Sequence, residues 1–173
     1  PTASPWVWLP ETTAGRLLVA GPPRSGRTNT LRVLAASARR AGRPVALVPA
    51  DGKPDALAAL LHRHADLLVL VDDVDRVDDA PLAPALHEAV RRADRGDGGL
   101  VVATTAPSLL RRFRGLDVET LRRGHAILLG PSPGDGDVIG VRLPRGGAAG
   151  RLPGRGVLVA DGRVTAIQVL LDG

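Results

Sequence analysis

The stretch Gly21-Pro22-Pro23-Arg24-Ser25-Gly26-Arg27-Thr28 has the spacing Gly-x-x-x-x-Gly-Lys-[Ser/Thr] of a phosphate-binding loop, with arginine in the place of lysine. Such a loop works between a buried strand and a helix N-terminus. Gly21 and Gly26 let the backbone curl so that successive N–H groups face the β- and γ-phosphates of a nucleotide, and the helix dipole adds to the attraction. The Thr28 hydroxyl is the group that would hold Mg²⁺. Arg27 keeps the positive charge that binding needs, but a planar fork follows charge onto a γ-phosphate less well than a compact ammonium does. Arg24 either touches phosphate or is solvated. Ser25 is accounted for by the loop, and with Gly-x-Ser-x-Gly absent it is no candidate nucleophile.

A second constellation lies downstream. Leu67-Leu68-Val69-Leu70-Val71 is an apolar run ending in Asp72-Asp73. In this arrangement the first acid, Asp72, holds Mg²⁺ through water and the second, Asp73, orients an attacking water. Asp at a strand end also caps turns, and Asp75, Asp78 and Asp79 make this loop acidic in general. A phosphate loop followed by an acid pair is nevertheless a joint signal for bound ATP or ADP with Mg²⁺. Aspartate in place of the glutamate common in hydrolysing proteins shortens the side chain by about 1.5 Å. Misplacement on that scale costs on the order of 10²-fold in rate. Arg27 and Asp73 thus both spare binding more than turnover. A further strand ends in Ala103-Thr104-Thr105, and in RecA-like proteins a polar residue at such a tip senses the γ-phosphate, a role open to Thr104 or Thr105.

The elements that must position these groups follow from periodicity. Apolar runs predict strands over Arg16–Ala20, Val45–Val48, Asp66–Val71, Leu100–Thr104 and Ala126–Leu129. Helical spacing predicts helices over Thr28–Ala41, Pro54–His62, Pro81–Asp94 and Pro107–Phe113. This alternation means an α/β fold with a mainly parallel sheet and helices on both faces. Gly156–Ala160 and Val164–Leu170 flank Asp161-Gly162, a hairpin signal, and the stretch from Pro131 to Gly154 reads as mostly loop. Residues 1–15 read as a linker or arm, and 16–173 as one domain.

The composition narrows the function classes. The 173 residues carry 23 Lys+Arg, of which only Lys53 is lysine, against 18 Asp+Glu, for a net charge of +5. This balance permits an anionic partner such as nucleic acid, but it also reads as a bias toward arginine on solvated helix faces. Aromatic residues are limited to Trp6, Trp8 and Phe113, too few for a base-stacking platform. The absence of cysteine excludes disulfides and thiolate metal sites, and no run is long enough to span a membrane. Both suit a cytoplasmic location. The chain has no methionine and opens Pro-Thr-Ala-Ser-Pro, which reads as a segment of a longer protein.

Other candidates have plainer explanations. His62 and His64 diverge on a helix, and His87-Glu88 lacks the rest of a zinc-protease motif. Arg39-Arg40, Arg91-Arg92 and Arg111-Arg112 read as polar helix faces and form a DNA-binding rim only if they converge in space.

Taken together, these residues resemble the FtsK/SpoIIIE-type ATPases, and most closely the C-terminal ATPase domains of EccC proteins of type VII secretion. The resemblance is carried by Trp8-Leu9-Pro10, by Leu17 through Thr28 with its arginine, and by Val71-Asp72-Asp73 followed by Val74-Asp75. It continues in Gly134-Asp135-Gly136-Asp137-Val138-Ile139-Gly140-Val141-Arg142-Leu143-Pro144, in Pro153-Gly154-Arg155-Gly156 and in Ile167-Gln168-Val169. It implies a RecA-like P-loop module in a multi-ATPase chain, working in a ring or stacked assembly, with other ATPase domains and a secreted substrate's signal peptide as partners. DNA comes second as a partner, and the full-length protein would be anchored on the cytoplasmic side of a membrane. The resemblance further implies a regulatory domain that binds Mg-ATP with weak or no hydrolysis. The alternatives are an active DNA-translocating motor or an interaction module independent of nucleotide. Arg122 and Arg123 fall where the resemblance places a basic segment, either reaching a neighbour's nucleotide or simply solvated.

Overall fold

The computed structural model describes residues 15–49, 52–77, 81–105, 107, 109, 115–122, 125–132, 134–143 and 152–170. Runs of branched apolar residues form the strands: β1 (Arg16–Ala20), β2 (Val45–Val48), β3 (Leu68–Val71), β4 (Gly99–Thr104), β5 (Ala126–Leu129), β6 (Arg155–Ala160) and β7 (Arg163–Gln168). They make one sheet in the order β2-β3-β4-β1-β5-β6-β7. The first five strands in this order are parallel, and β6 and β7 add antiparallel at one edge as the hairpin around Asp161-Gly162.

β1 and β3 to β5 are buried along their whole length, because both sheet faces are covered. Alternate residues therefore enter two separate cores. Leu17, Val19, Leu68, Leu70, Val101, Ala103, Ile127 and Leu129 meet Leu31 and Ala35 of helix α1 (Arg27–Arg40). Leu18, Ala20, Val69, Val71, Leu100 and Val102 meet α2 (Pro54–Arg63) and α3 (Ala83–Arg95) on the other face. On α3 the buried residues are Leu86, Ala89, Val90 and Ala93, one face at helical spacing. Each fully buried Leu or Val contributes about 1.5–3 kcal/mol relative to exposure. The α/β architecture, the mainly parallel sheet and the C-terminal hairpin all agree with the sequence reading.

Three local features differ from it. The strand expected from Asp66 starts at Leu68, and the Asp66 carbonyl instead accepts from Arg43 Nε at 2.8 Å. The acidic loop after Asp73 is not simply polar: a 3₁₀ turn over Val74–Arg76 buries Val74, and Val77 follows it into the core. Two short helices were not anticipated, α4 (Leu116–Leu121) and the single turn α5 (Asp135–Val138), the second inside the expected loop. Runs of six and four residues are too short for periodicity to register. Pro107 and Leu109 are helical, but the rest of the helix expected over Pro107–Phe113 lies outside the described residues. So do the arm residues 1–14 with Trp6 and Trp8, as well as Asp78, Asp79, Arg111, Arg112, Arg123 and Pro144.

Nothing in the sequence pattern marks Arg16. At the start of β1 it is buried and pairs with Asp94 of α3 (Nε to Oδ1 2.7 Å) while donating to the Glu119 carbonyl of α4 at 2.9 Å. This contact pins two helices to the end of β1 opposite the phosphate loop.

Candidate phosphate-binding site

β1 lies between β4 and β5, and the chain leaves it to build the sheet on one side before returning to the other. The carboxyl end of such a strand opens onto a crevice at a topological switch point, the usual ligand position in open α/β sheets. Gly21–Gly26 fill that end and run directly into α1.

The backbone of the loop can be accounted for group by group. Gly21 N–H donates to the Thr104 carbonyl at 3.3 Å and Ser25 N–H to the Pro22 carbonyl at 3.2 Å, while Pro22 and Pro23 have no N–H to offer. Two carbonyls of the loop are also occupied: Ser25 C=O accepts from Gly154 N–H at 2.7 Å, and Gly26 C=O from Thr30 N–H at 2.8 Å, the first turn of α1. The N–H groups of Gly26, Arg27 and Thr28 take no backbone partner among the described residues, and no side chain caps α1. Donors are thus concentrated in the second half of the loop and the first turn of α1. Gly26 adopts φ +102°, and a Cβ there would stand 2.9 Å from the Gly154 nitrogen. A Cβ on Gly21 would lie 2.8 Å from the Leu129 carbonyl oxygen, so both loop glycines are required sterically.

The acid pair lies where the sequence places it, at the end of β3. Because β4 intervenes between β3 and β1, the carboxylates address the loop across the tip of β4. Thr28 Oγ1 donates to Asp72 Oδ2 at 2.7 Å, and the other Asp72 oxygen accepts from Asp73 N–H at 3.0 Å. Asp73 sits in the left-handed region, φ 45° and ψ 53°, and its carboxylate forms an ion pair with Arg27 at 3.0 Å. Two side-chain links therefore join the start of α1 to the end of β3.

The remaining sequence candidates divide. Thr104 is wholly buried and contributes through its carbonyl, whereas Thr105 is partly exposed at the strand tip. Arg24 is exposed with φ 64°, a turn conformation uncommon outside glycine. Arg122 is exposed at the end of α4. Arg39-Arg40 end α1 on one face of the sheet. Arg91-Arg92 lie on α3 on the other face, bonded to Glu88, with Arg92 also donating to the Leu61 and His64 carbonyls. These two basic pairs do not converge into one rim.

A set of residues missed by the spacing argument braces the loop from the C-terminal hairpin. Besides the Gly154–Ser25 bond, Asn29 Nδ2 donates to the Leu170 carbonyl at 2.8 Å, Gln168 Nε2 to the Pro153 carbonyl at 3.1 Å, and Val169 N–H to the Gly154 carbonyl at 2.8 Å. The signals for them in the sequence are Pro153-Gly154 ahead of the hairpin and Ile167-Gln168-Val169 within it, both met only as parts of the resemblance.

The donor set fits the polyphosphate of a nucleotide. Among the described residues three N–H groups at the head of α1 are unspent, and the buried Ser25 Oγ and Arg27 Nη1 have no hydrogen-bond partner. A hydroxyl–carboxylate pair stands beside them, the hard oxygen chemistry Mg²⁺ takes. Among the described residues no cluster of three or more His, Asp or Glu could hold a metal ion, and no helix is long and apolar enough to cross a membrane.

No protein-family model and no curated protein matches the sequence. The fold, in contrast, matches solved structures. The cytoplasmic domain of the Thermomonospora curvata type VII secretion ATPase EccC aligns at a TM-score of 0.69 and 14% identity, over 94% of this chain and 24% of that one. ATPases 2 and 3 of Thermomonospora curvata EccC, solved in complex with a signal sequence peptide, align at 0.67 and 16% over 94% and 38%. The genome packaging NTPase B204 of Sulfolobus turreted icosahedral virus 2, in complex with ATP-gammaS, aligns at 0.59 and 10% over 88% and 96%. The chain therefore has the fold of P-loop ATPases and spans well under half the length of the two EccC structures.

Proposed function

We propose that this chain is an FtsK/SpoIIIE-type, EccC-like ATPase domain that binds Mg-ATP, or ADP, and hydrolyses it weakly or not at all. The observation that carries the reading is the Thr28–Asp72 hydrogen bond beside the unspent N–H groups of Gly26, Arg27 and Thr28. The polyphosphate would be held by those N–H groups, Ser25 and Arg27, and Mg²⁺ by Thr28 and Asp72. When bound, Mg²⁺ would neutralise phosphate charge. Arg24 and Thr105 are the further candidates for contact with the polyphosphate. Low turnover is inferred from Arg27 in place of lysine and from Asp73, whose carboxylate is engaged with Arg27 instead of standing free for a water.

The likeness to multi-ATPase EccC chains supports a role among neighbouring ATPase domains on the cytoplasmic side of a membrane, with a signal peptide as the partner of the assembled protein. The DNA-motor alternative draws no support from Arg39-Arg40 and Arg91-Arg92, which lie on opposite faces of the sheet.

Titration calorimetry with ATP and Mg²⁺ tests the binding claim, and no saturable heat at millimolar nucleotide would overturn it. The double variant Arg27→Lys/Asp73→Glu should raise hydrolysis. An unchanged rate would move the limit to a site outside these two positions.

A further inference from the structure

Arg27, the first residue of α1, has its charge already answered inside the molecule. Its Nη2 lies 3.0 Å from Asp73 Oδ1, with 13% of the arginine side chain and 41% of the aspartate side chain exposed. The other arm, Nη1, is buried and has no hydrogen-bond partner among the described residues. A guanidinium fork is built for two parallel bonds to one oxyanion, so a pairing that uses one arm and strands the other is incomplete. The backbone of Asp73 is in the left-handed region and its N–H is tied to Asp72, so the carboxylate reaches Arg27 from a backbone that is itself held in place.

An incoming polyphosphate meets two consequences of this arrangement. It must draw Arg27 away from Asp73, and it must bring negative charge up to a carboxylate already in place. On the reading that the loop binds nucleotide, we propose that Asp73 acts as an internal counter-ion: it competes with phosphate for Arg27 and sets the affinity of the site below what the loop alone would give. Removing its charge should tighten binding. The gain should be larger without Mg²⁺, when the phosphate charge is uncompensated.

The test is calorimetric titration of the whole chain with ATP, ADP and inorganic tripolyphosphate, each with Mg²⁺ and with chelator. Asp73→Asn keeps the shape and the tolerance for left-handed φ, and Asp73→Gly removes the side chain while easing the backbone. Both should bind each ligand about threefold to tenfold more tightly than the parent chain. The gain should shrink when Arg27 is Gln, because there is then no guanidinium to release. Thermal melts of the unliganded variants establish that they are folded. Equal affinities of parent and both folded variants would overturn this inference alone. So would weaker binding confined to Mg²⁺, which would make Asp73 a metal-positioning group, or a gain undiminished in the Arg27→Gln background. Failure of parent and variants alike to bind any of the three ligands would overturn the nucleotide reading and this inference with it.

Discussion

Thr28 and Asp72 are 44 positions apart in the chain and share one hydrogen bond, 2.7 Å from hydroxyl to carboxylate. It joins the first turn of α1 to the end of β3 over the tip of β4. The two oxygens are hard donors on fixed elements, which is what a small divalent cation needs. Asp72→Asn and Thr28→Val should each remove most of the Mg²⁺-dependent part of ATP affinity, about tenfold, while leaving affinity in chelator unchanged or raised. Titrations with and without Mg²⁺ check this, and equal losses in both conditions would separate the pair from the metal.

The loop is braced from the far end of the chain, and Gly154 is the contact. It has φ +81°, and a Cβ there would stand 2.7 Å from the Val169 carbonyl oxygen. Gly154→Ala should cost about 1–3 kcal/mol of stability and also weaken ATP binding, since Ser25 C=O loses a well-placed donor. Gly162→Ala is the matched control. With φ +73° and nothing within 4 Å of its Cβ, it should cost stability while leaving ATP affinity alone. Urea unfolding and calorimetry on the two variants distinguish the effects.

Arg16 is a buried cation with a defined partner. Asp94→Ala leaves its charge unanswered at the base of β1 and should destabilise the chain by about 3–5 kcal/mol. Arg16→Met with Asp94→Leu, which removes both charges, should recover much of that loss. Denaturant midpoints measure both, and ATP affinity per folded molecule should not change, because this contact lies at the opposite end of β1 from the loop.

Glu88 gives α3 a pH dependence. Hydrogen bonds from Arg92 first, and then from Arg91, hold its carboxyl below the ordinary value of 4.5. A carboxyl lowered on folding stabilises the native state above its unfolded pKa, and this contribution is lost as pH falls through the lower folded value. Glu88→Gln should therefore cost up to about 1 kcal/mol near neutrality. The difference from the parent chain should hold above pH 4.5, shrink as pH falls below that value, and vanish only below the lower folded one. Thermal melts across that range give the comparison.

The parts of this molecule that sequence revealed are those where one local rule acts alone. The strands containing Leu17–Val19 and Leu68–Val71 are continuous apolar runs because both sheet faces are covered, and the α3 stripe repeats at helical period because one face is. The loop and the acid pair were legible because Gly21, Gly26, Thr28 and Asp72 answer to fixed spacing. What escaped depends on chain segments meeting in space. Nothing near Arg27 in sequence indicates that Asp73 will pair with it, nothing near Arg16 points to Asp94, and Val74 and Val77 are hidden among acids. Thr104 and Thr105 are adjacent and alike in sequence, and only the sheet register separates the buried one from the one at the surface.

The Ser25–Gly154 bond also bears on how the chain matures. During vectorial synthesis Ser25 leaves the ribosome long before Gly154, and contacts of such sequence separation form late because loop closure must come first. The five parallel strands can assemble around β1 while the loop at its tip still lacks its brace. Competence to hold an anion would then arrive with the hairpin, so a nascent chain passes through a stage that is folded at its centre and unready at its mouth.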